Sequence, residues 1–567
     1  MWNDAFWCIL SAYYYILNRP PTGFFQPQLV PGKKKSSMNR TSLTLVSAAL
    51  VALSVIAPAS DAAKNAQDWF ETGLALQKEH QTRQALDAYQ KALALDPKFA
   101  RAHYEIGWTY WVMNDWAKVV DHWETAKRLG YHDANLDIYL PAARDNLNGK
   151  QPALTRTRIG DRSTSLTDGE PLRLQLIARF QHYNPKPENP ADHYDPYVFS
   201  PKSVRFFPDG SKVYVNALEG LSTLVYDPHQ LVRLHRISHR FRKSDAALFT
   251  GDATNQWYTM PPEFVQHENQ FDGKPVESAL SHHGRYLWVP YYRRNFDPYG
   301  TLPSAVAIID TRDDHIVRVM ETGPIPKFVT ASADGNWLAV THWGDNTVGL
   351  IDIHSDNPME FERVDLITIG KRLDLKAIQT KDRDHGCGFC LRGSVFTADN
   401  QYLLVARMGG GGIAVIDIPK RKYIGTVYGM RPTPRHLVLS ANGELLYLSS
   451  SFAGYVSEYR TQDLIDALHK PGHKLKPLRE QHTGAATRTI ALSRDDQLIF
   501  AAVNLESKIV VLHAPDLKPL AEIPTDSYPV GLAVSPDISQ LWVTAQGRSG
   551  RGGNSVSVFR IERKQQK

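Results

Sequence analysis

Apolar and polar positions alternate along residues 171–567 in a cassette that recurs seven times. Each copy has a short apolar run, a polar turn and a second apolar run. Five copies are KSVRFFPDG, KFVTASADG, RGSVFTADN, RHLVLSANG and RTIALSRDD, followed by KVYV, WLAV, YLLV, LLYL and LIFA. Asp-Gly, Asn-Gly and Asp-Asn between β-branched and aromatic runs predict tight hairpins, because these residues tolerate the positive φ such turns need. Two further copies are VESALSHHGRYLWV from Val276 and VGLAVSPDISQLWV from Val530. A third strand follows each hairpin, often ending in Ile-Asp (AVAIIDT, TVGLIDI, GIAVIDI), and most copies add a fourth. One four-stranded sheet cannot bury both faces alone, so seven in series predict a closed seven-bladed β-propeller.

The last copy ends after its third strand, SVSVFRI from Ser555. The alternating stretch PLRLQLIARF, from Pro171, is expected to supply the missing strand and remove the open edges of the ring. Ahead of it a second periodicity appears. Gly73 and Gly107 stand 34 residues apart, with Trp69, Ala85, Tyr89, Ala92 and Pro97 around the first and Tyr110, Trp123 and Ala126 around the second. His103 and Tyr131 depart from that spacing. Small residues let paired helices approach and an aromatic fills the gap between them. Two repeats and a capping helix from about Asp133 to Leu147 are expected, with Trp108, Trp111, Trp116 and Trp123 serving mainly as core.

With these residues in view, the cassettes and Ile-Asp endings over residues 171 to 564 resemble the YVTN-type seven-bladed propellers, relatives of the haem d1-type propellers. The helical segment resembles tetratricopeptide (TPR) repeats. The first resemblance implies a mainly β fold that hosts scaffolds, binding modules and cofactor housings alike. The second implies a protein or peptide partner.

The N-terminus reads as targeting sequence. Met38-Asn-Arg, the apolar LTLVSAALVALSVIAP and small residues near Ala59 and Ala62 have the form of a signal peptide. The expected division is a leader at 1–37 outside the mature protein, a signal peptide at 38–62, a TPR-like domain at 64–148, a linker at 149–170 and the propeller at 171–567. A periplasmic or secreted location follows, with no stable membrane anchor in the mature chain. The leader holds Arg19, Lys33, Lys34 and Lys35 against Asp4, so about half of the formal net charge of +6 leaves with it. Bulk charge therefore gives no argument for nucleic acid. Of three cysteines, Cys387 and Cys390 remain.

Five cassettes place a basic residue at the start of the innermost strand: Lys202, Lys327, Arg392, Arg435 and Arg488. These side chains are expected to converge at the mouth of the central channel, where grouped cations favour an anion and arginine offers forked hydrogen bonds to carboxylate or phosphate. The competing reading is that the basic residue belongs to the cassette itself, bonded to carbonyls or to Glu277, the only acid at an equivalent position. Three long insertions (240–273, 291–304 and 371–389) fall on the same face, while one at 464–476 falls on the other. Cys387 and Cys390 form a CxxC, read first as a structural disulfide, then as a redox pair, then as a metal site with His385. Leu391 after Cys390 argues against covalent haem attachment.

No Ser-His-Asp signature, phosphate loop or zinc motif is present. The leading expectation is an exported binding or scaffold protein without enzymatic activity, holding a protein partner in the TPR segment and an anionic ligand or peptide at the channel mouth. The alternative is a redox or cofactor-binding enzyme built on His385, Cys387 and Cys390. No cofactor is predicted from the residues. A haem site would draw on His342, His385 or His436, and a lactone-hydrolysing metal site would need more acids than Glu277.

Overall fold

A computed structural model describes residues 65–78, 82–113, 115–133, scattered positions from 136 to 147, 157–249, 257–297, 299–375, 382–384, 386–470, 472–547 and 553–564. These fall into two compact units, one within residues 16–152 and one within 153–567.

The helical unit contains α1 (Ala66–Lys78), α2 (Thr82–Leu95), α3 (Ala100–Met113) and α4 (Trp116–Arg128). α1 pairs with α2 and α3 with α4 through the two glycines. A Cβ on Gly73 would lie 2.4 Å from the Tyr89 ring, and one on Gly107 would lie 2.2 Å from Trp123. Trp123 is fully buried and donates its indole N–H to the Tyr104 carbonyl at 3.1 Å. Trp108 and Trp111 pack on it and are themselves buried, whereas Trp116 stays half-buried against Trp111. Beyond α4, Leu136, Leu140 and Ala143 are helical and buried, a spacing of four and three that puts them on one face.

The second unit is a ring of seven antiparallel sheets. Blade one comprises Pro201–Phe206, Val213–Ala217, Ser222–Asp227 and Val232–Ser238, from the channel outward. The innermost strands of blades two to seven are Ala279–Ser281, Pro326–Ala331, Leu391–Phe396, Pro434–Leu439, Thr487–Leu492 and Pro529–Val534. Hairpin chemistry is visible in the backbone: Gly210, Gly335, Asn400, Gly443 and Asp496 all have positive φ at the turn following these strands. Blade seven uses Ile538 there, at φ 60°. Blades pack through the alternate faces of their strands. Between blades seven and one, Phe180, Tyr226 and the fully buried Trp542 stack within 6 Å of one another.

Closure follows the expected route. Leu172–Gln181 pairs antiparallel with Ser555–Arg563 and completes blade seven. Two edge additions escape the sequence pattern because they are too short to show alternation. Asp192–Tyr194 pairs parallel with the closing strand. Thr164–Ser165, inside the stretch expected as linker, pairs with Pro519–Pro524 at the edge of blade six. The 464–476 insertion begins within a short helix, α5 (Thr461–Ala467), whose Leu464 and Ile465 join the hydrophobic core shared by blades four and five.

Candidate functional site: the channel mouth

The five cations and Glu277 occupy one ring position, and neighbouring blades set it. Asn216, Thr341, Ser449 and Thr544, each on the second strand of a blade, hydrogen-bond to the carbonyls of Glu277, Arg392, Arg488 and Lys202 on the next blade, at 2.9, 2.9, 2.6 and 3.3 Å. Val530 stands at this position in blade seven, its carbonyl accepting from the Thr489 hydroxyl at 2.7 Å.

A repeated backbone device precedes the ring. Ser200, Ile325, Cys390, Thr433, Ala486 and Tyr528 all have positive φ, and each lies two residues before the ring residue of its blade. For β-branched Ile325 and Thr433 this conformation is costly, so the surrounding structure must enforce it. Proline follows in four of the six, as Pro201, Pro326, Pro434 and Pro529. The dipeptide Pro-Lys, Pro-Arg or Pro-Val was the unused sequence signal for this bend.

Each cation finds a different environment. Arg392 donates to Glu277 Oε1 at 2.9 Å and to the Lys327 carbonyl at 2.6 Å. Lys327 Nζ lies 2.9 Å from Asp384 Oδ1, 4.0 Å from the Tyr292 ring centre and 5.2 Å from that of Trp343. Arg293 reaches the same Asp384 at 3.2 Å and also pairs with Asp382. Arg435 points an N–H at Met408 Sδ, 3.3 Å away. Arg205, three residues below Lys202, donates to the Ser278 carbonyl at 2.9 Å. Lys202 makes no ion pair with any described residue. Burial, then the Arg488, Arg392 and Arg435 charges, push its ammonium well below the ordinary lysine range, opposed by Glu277.

One aromatic contact lies a residue beyond the ring position. Rings of Phe328 and His436, from blades three and five, meet edge-to-face at 5.4 Å where blade four offers only Gly393. A Cβ on Gly393 would sit 2.6 Å from the Arg435 carbonyl oxygen and 3.0 Å from the His436 Cα, so glycine lets blade four approach the backbone of blade five. Burial and then the charges of Arg392, Arg205 and Arg435 hold His436 neutral, lowering its pKa to about 3. Its Nδ1 is buried without a hydrogen-bond partner.

The other proposed chemistries distribute differently. Cys387 and Cys390 are joined as a disulfide and are both buried. Because Cys390 is the positive-φ residue before Leu391-Arg392, the bond braces the lead-in to a ring cation. His385 lies outside the described residues. His342 belongs to the core, not to the channel: its Nδ1 bonds to Thr347 Oγ1 at 2.8 Å and its Nε2 accepts from the Gly323 N–H at 3.1 Å. With both nitrogens engaged it does not fit an axial haem ligand. Among the described residues, no cluster of three or more His, Cys, Asp or Glu is placed to hold a metal ion. Glu277 and Asp384, the acids at the mouth, are both committed to cations. Sequence reading missed Arg205, Arg293 and the role of Asp384. Arg205 follows Lys202 on the same strand and Arg293 lies near the end of the strand Tyr286–Arg294, but Asp384 sits in an insertion whose path no local pattern specifies.

Residues 304–567 match the family described as lactonase, 7-bladed beta-propeller, and residues 73–113 match the TPR repeat family. The chain is thus a seven-bladed propeller with a TPR segment ahead of it. Hydrazine synthase of Kuenenia stuttgartiensis is similar at 14% identity and a TM-score of 0.45, over 67% of this chain and 99% of that one. The Cps50 (Swd1) beta-propeller domain of Myceliophteria thermophila is similar at 13% identity and a TM-score of 0.44, over 64% and 97%. No curated protein matches the chain.

Proposed function

We propose that this is an exported binding protein: its propeller takes an anionic ligand at the channel mouth, and its TPR segment holds a protein partner. One observation carries the reading. Five cations share a single ring position, each set by the same bend two residues earlier, and among the described residues Glu277 pairs with Arg392 and Asp384 with Lys327. Taking like charges out of water together is unfavourable unless something answers them, and a bound anion does so. The Phe328–His436 contact beneath the ring favours capture of a small group at the mouth over passage through the channel.

Export is supported by the signal-like leader and by the Cys387–Cys390 disulfide, a bond that persists in oxidising compartments. Lactone hydrolysis, named in the matched family, finds no acidic donor set among the described residues. The redox alternative is weakened by burial of both sulfurs, since exchange needs an accessible thiolate.

Calorimetric titration of sulfate, citrate and an acidic peptide tests the reading. Binding by the native protein, and its loss in the Arg392→Ala, Arg435→Ala, Arg488→Ala triple variant, is expected. Undiminished binding in a folded triple variant would sink the channel-mouth assignment.

A further inference from the structure

Arg407 ends the second strand of blade four, Tyr402–Arg407, and four successive glycines at 409–412 lead into the third, Ile413–Asp417. Its side chain is almost wholly buried, with the Phe389 ring centre 3.8 Å from the guanidinium carbon. Nη1 donates to Thr426 Oγ1 at 2.7 Å and to the Tyr428 hydroxyl at 3.1 Å. Those two bonds account for one of its three nitrogens. Nε is buried without an acceptor, and among the described residues neither an acceptor for Nη2 nor a carboxylate for the charge is present. A Cβ on Gly410 would stand 3.3 Å from Nη2, which places that nitrogen against the glycine turn.

The turn is closely backed on one side and open on the other. Gly409 donates its N–H to the Phe389 carbonyl at 3.0 Å, and a Cβ there would lie 2.2 Å from the Gly388 carbonyl oxygen and 3.0 Å from Cys390 Sγ. A Cβ on Gly411 would meet nothing within 4 Å. Gly410, Gly411 and Gly412 have φ of 75°, 72° and 81°, and their N–H groups find no acceptor among the described residues. Successive N–H groups in a turn of this kind make a concavity for an anion. Water can answer the N–H groups of an open turn. It does not explain a buried guanidinium with no counter-charge, which is costly to keep.

We propose that Arg407 and the 409–412 turn bind a carboxylate that carries an apolar group. One guanidinium and uncharged N–H groups answer a single negative charge, which a carboxylate carries and a phosphate monoester exceeds. The Tyr428 ring would lie 3.2 Å from a Cβ on Gly412 and is 46% exposed, so it offers the apolar group a face beside the turn. The site adjoins the ring through Met408, whose sulfur accepts from Arg435 at 3.3 Å, but it uses none of the five ring cations.

Calorimetric titration of 3-phenylpropionate and of its uncharged amide tests the proposal. The acid should bind at one site and the amide at least tenfold more weakly. Asn and Asp both tolerate positive φ, so Gly411→Asn and Gly411→Asp differ in charge with little difference in shape. Gly411→Asn should keep the affinity within about threefold, and Gly411→Asp should lower it at least tenfold. The Arg392→Ala, Arg435→Ala, Arg488→Ala triple variant should still bind the acid. An acetylated Gly-Gly-Phe peptide with a free C-terminus separates the sources: tighter binding than phenylpropionate assigns a peptide end, weaker binding a free acid, and either supports the site. Equal affinity for acid and amide, equal loss in the two Gly411 variants, or no binding of the acid would overturn the site and leave the channel-mouth reading standing. Loss confined to the triple variant would overturn it by moving the acid to the channel mouth.

Discussion

Two regions of the propeller bury arginines, with opposite results. At the closure of the ring, Arg179 on the last-joined strand donates to Asp526 at 3.1 Å, to the Thr157 carbonyl at 2.8 Å and to Asp192 through two nitrogens. Asp526 is completed by the Tyr183 hydroxyl at 2.9 Å and by Thr157. Every charge there is answered by a residue that closure itself brings in. At the channel mouth, cations converge from five blades, and among the described residues the acids paired with them are Glu277, on Arg392, and Asp384, on Lys327. Burial costs a charge its hydration in both places. At the clasp the protein repays that cost internally, and at the mouth the proposed anion would repay it.

The contrast is most exposed to Arg179→Met. Removing the cation leaves the buried Asp526 and the half-buried Asp192 without it, so unfolding by urea should show a loss of about 3–5 kcal/mol. Asp526→Asn keeps the shape and leaves Arg179 with Asp192, so a smaller loss of about 1–3 kcal/mol is expected in the same assay. If either variant were as stable as the parent, the clasp would not be what holds the ring shut.

Lys202→Met should behave in the opposite way, with stability at neutral pH unchanged within about 0.5 kcal/mol or improved, since it removes one of several like charges. The pH dependence gives a sharper view. The Lys202 pKa is lower in the folded protein than in the unfolded chain, so the unfolded state binds more protons between the two values. Stability should therefore rise with pH through the window below about 10.4, the unperturbed lysine value, and Lys202→Met should lessen that rise while the part owed to Lys327, lowered in the same direction, remains. Urea midpoints between pH 7 and pH 10 read this directly. A parent protein whose stability is flat or falling there would contradict the lowered pKa of Lys202.

The smallest expected effect belongs to Glu277→Gln. Glu277 competes with any ligand for Arg392, so its neutralisation should tighten sulfate binding about three- to tenfold, roughly 0.7–1.4 kcal/mol. Weaker binding would mean that Glu277 positions the ligand instead of competing with it.

Much of this architecture was legible in local pattern. Asp-Gly and Asn-Gly turns between apolar runs marked the hairpins, and the unpaired end of blade seven pointed to Leu172–Gln181. The TPR reading rested on Gly73 and Gly107, and the structure gives the reason: each glycine faces the aromatic that the spacing selected. The edge strands Asp192–Tyr194 and Thr164–Ser165 were illegible because two or three residues carry no period. Arg293 and Asp384 were illegible as a pair for a different reason, since Asp384 lies on an insertion whose course is set by what it packs against and meets Arg293 at the end of the strand Tyr286–Arg294.

Sequence alone determined the blade count, the closure, the paired helices and the ring of cations. Each is marked by local pattern, since turn chemistry, side-chain period and a recurring position act over a few residues, even where the pairing itself, as at closure, is distant in the chain. Tertiary structure alone decided which cation is answered. Arg392 meets Glu277 from 115 residues away, Lys327 meets Asp384 from another blade's insertion, and Lys202 meets no acid among the described residues. Charge is written in the sequence, but its compensation depends on distances that only the closed ring creates.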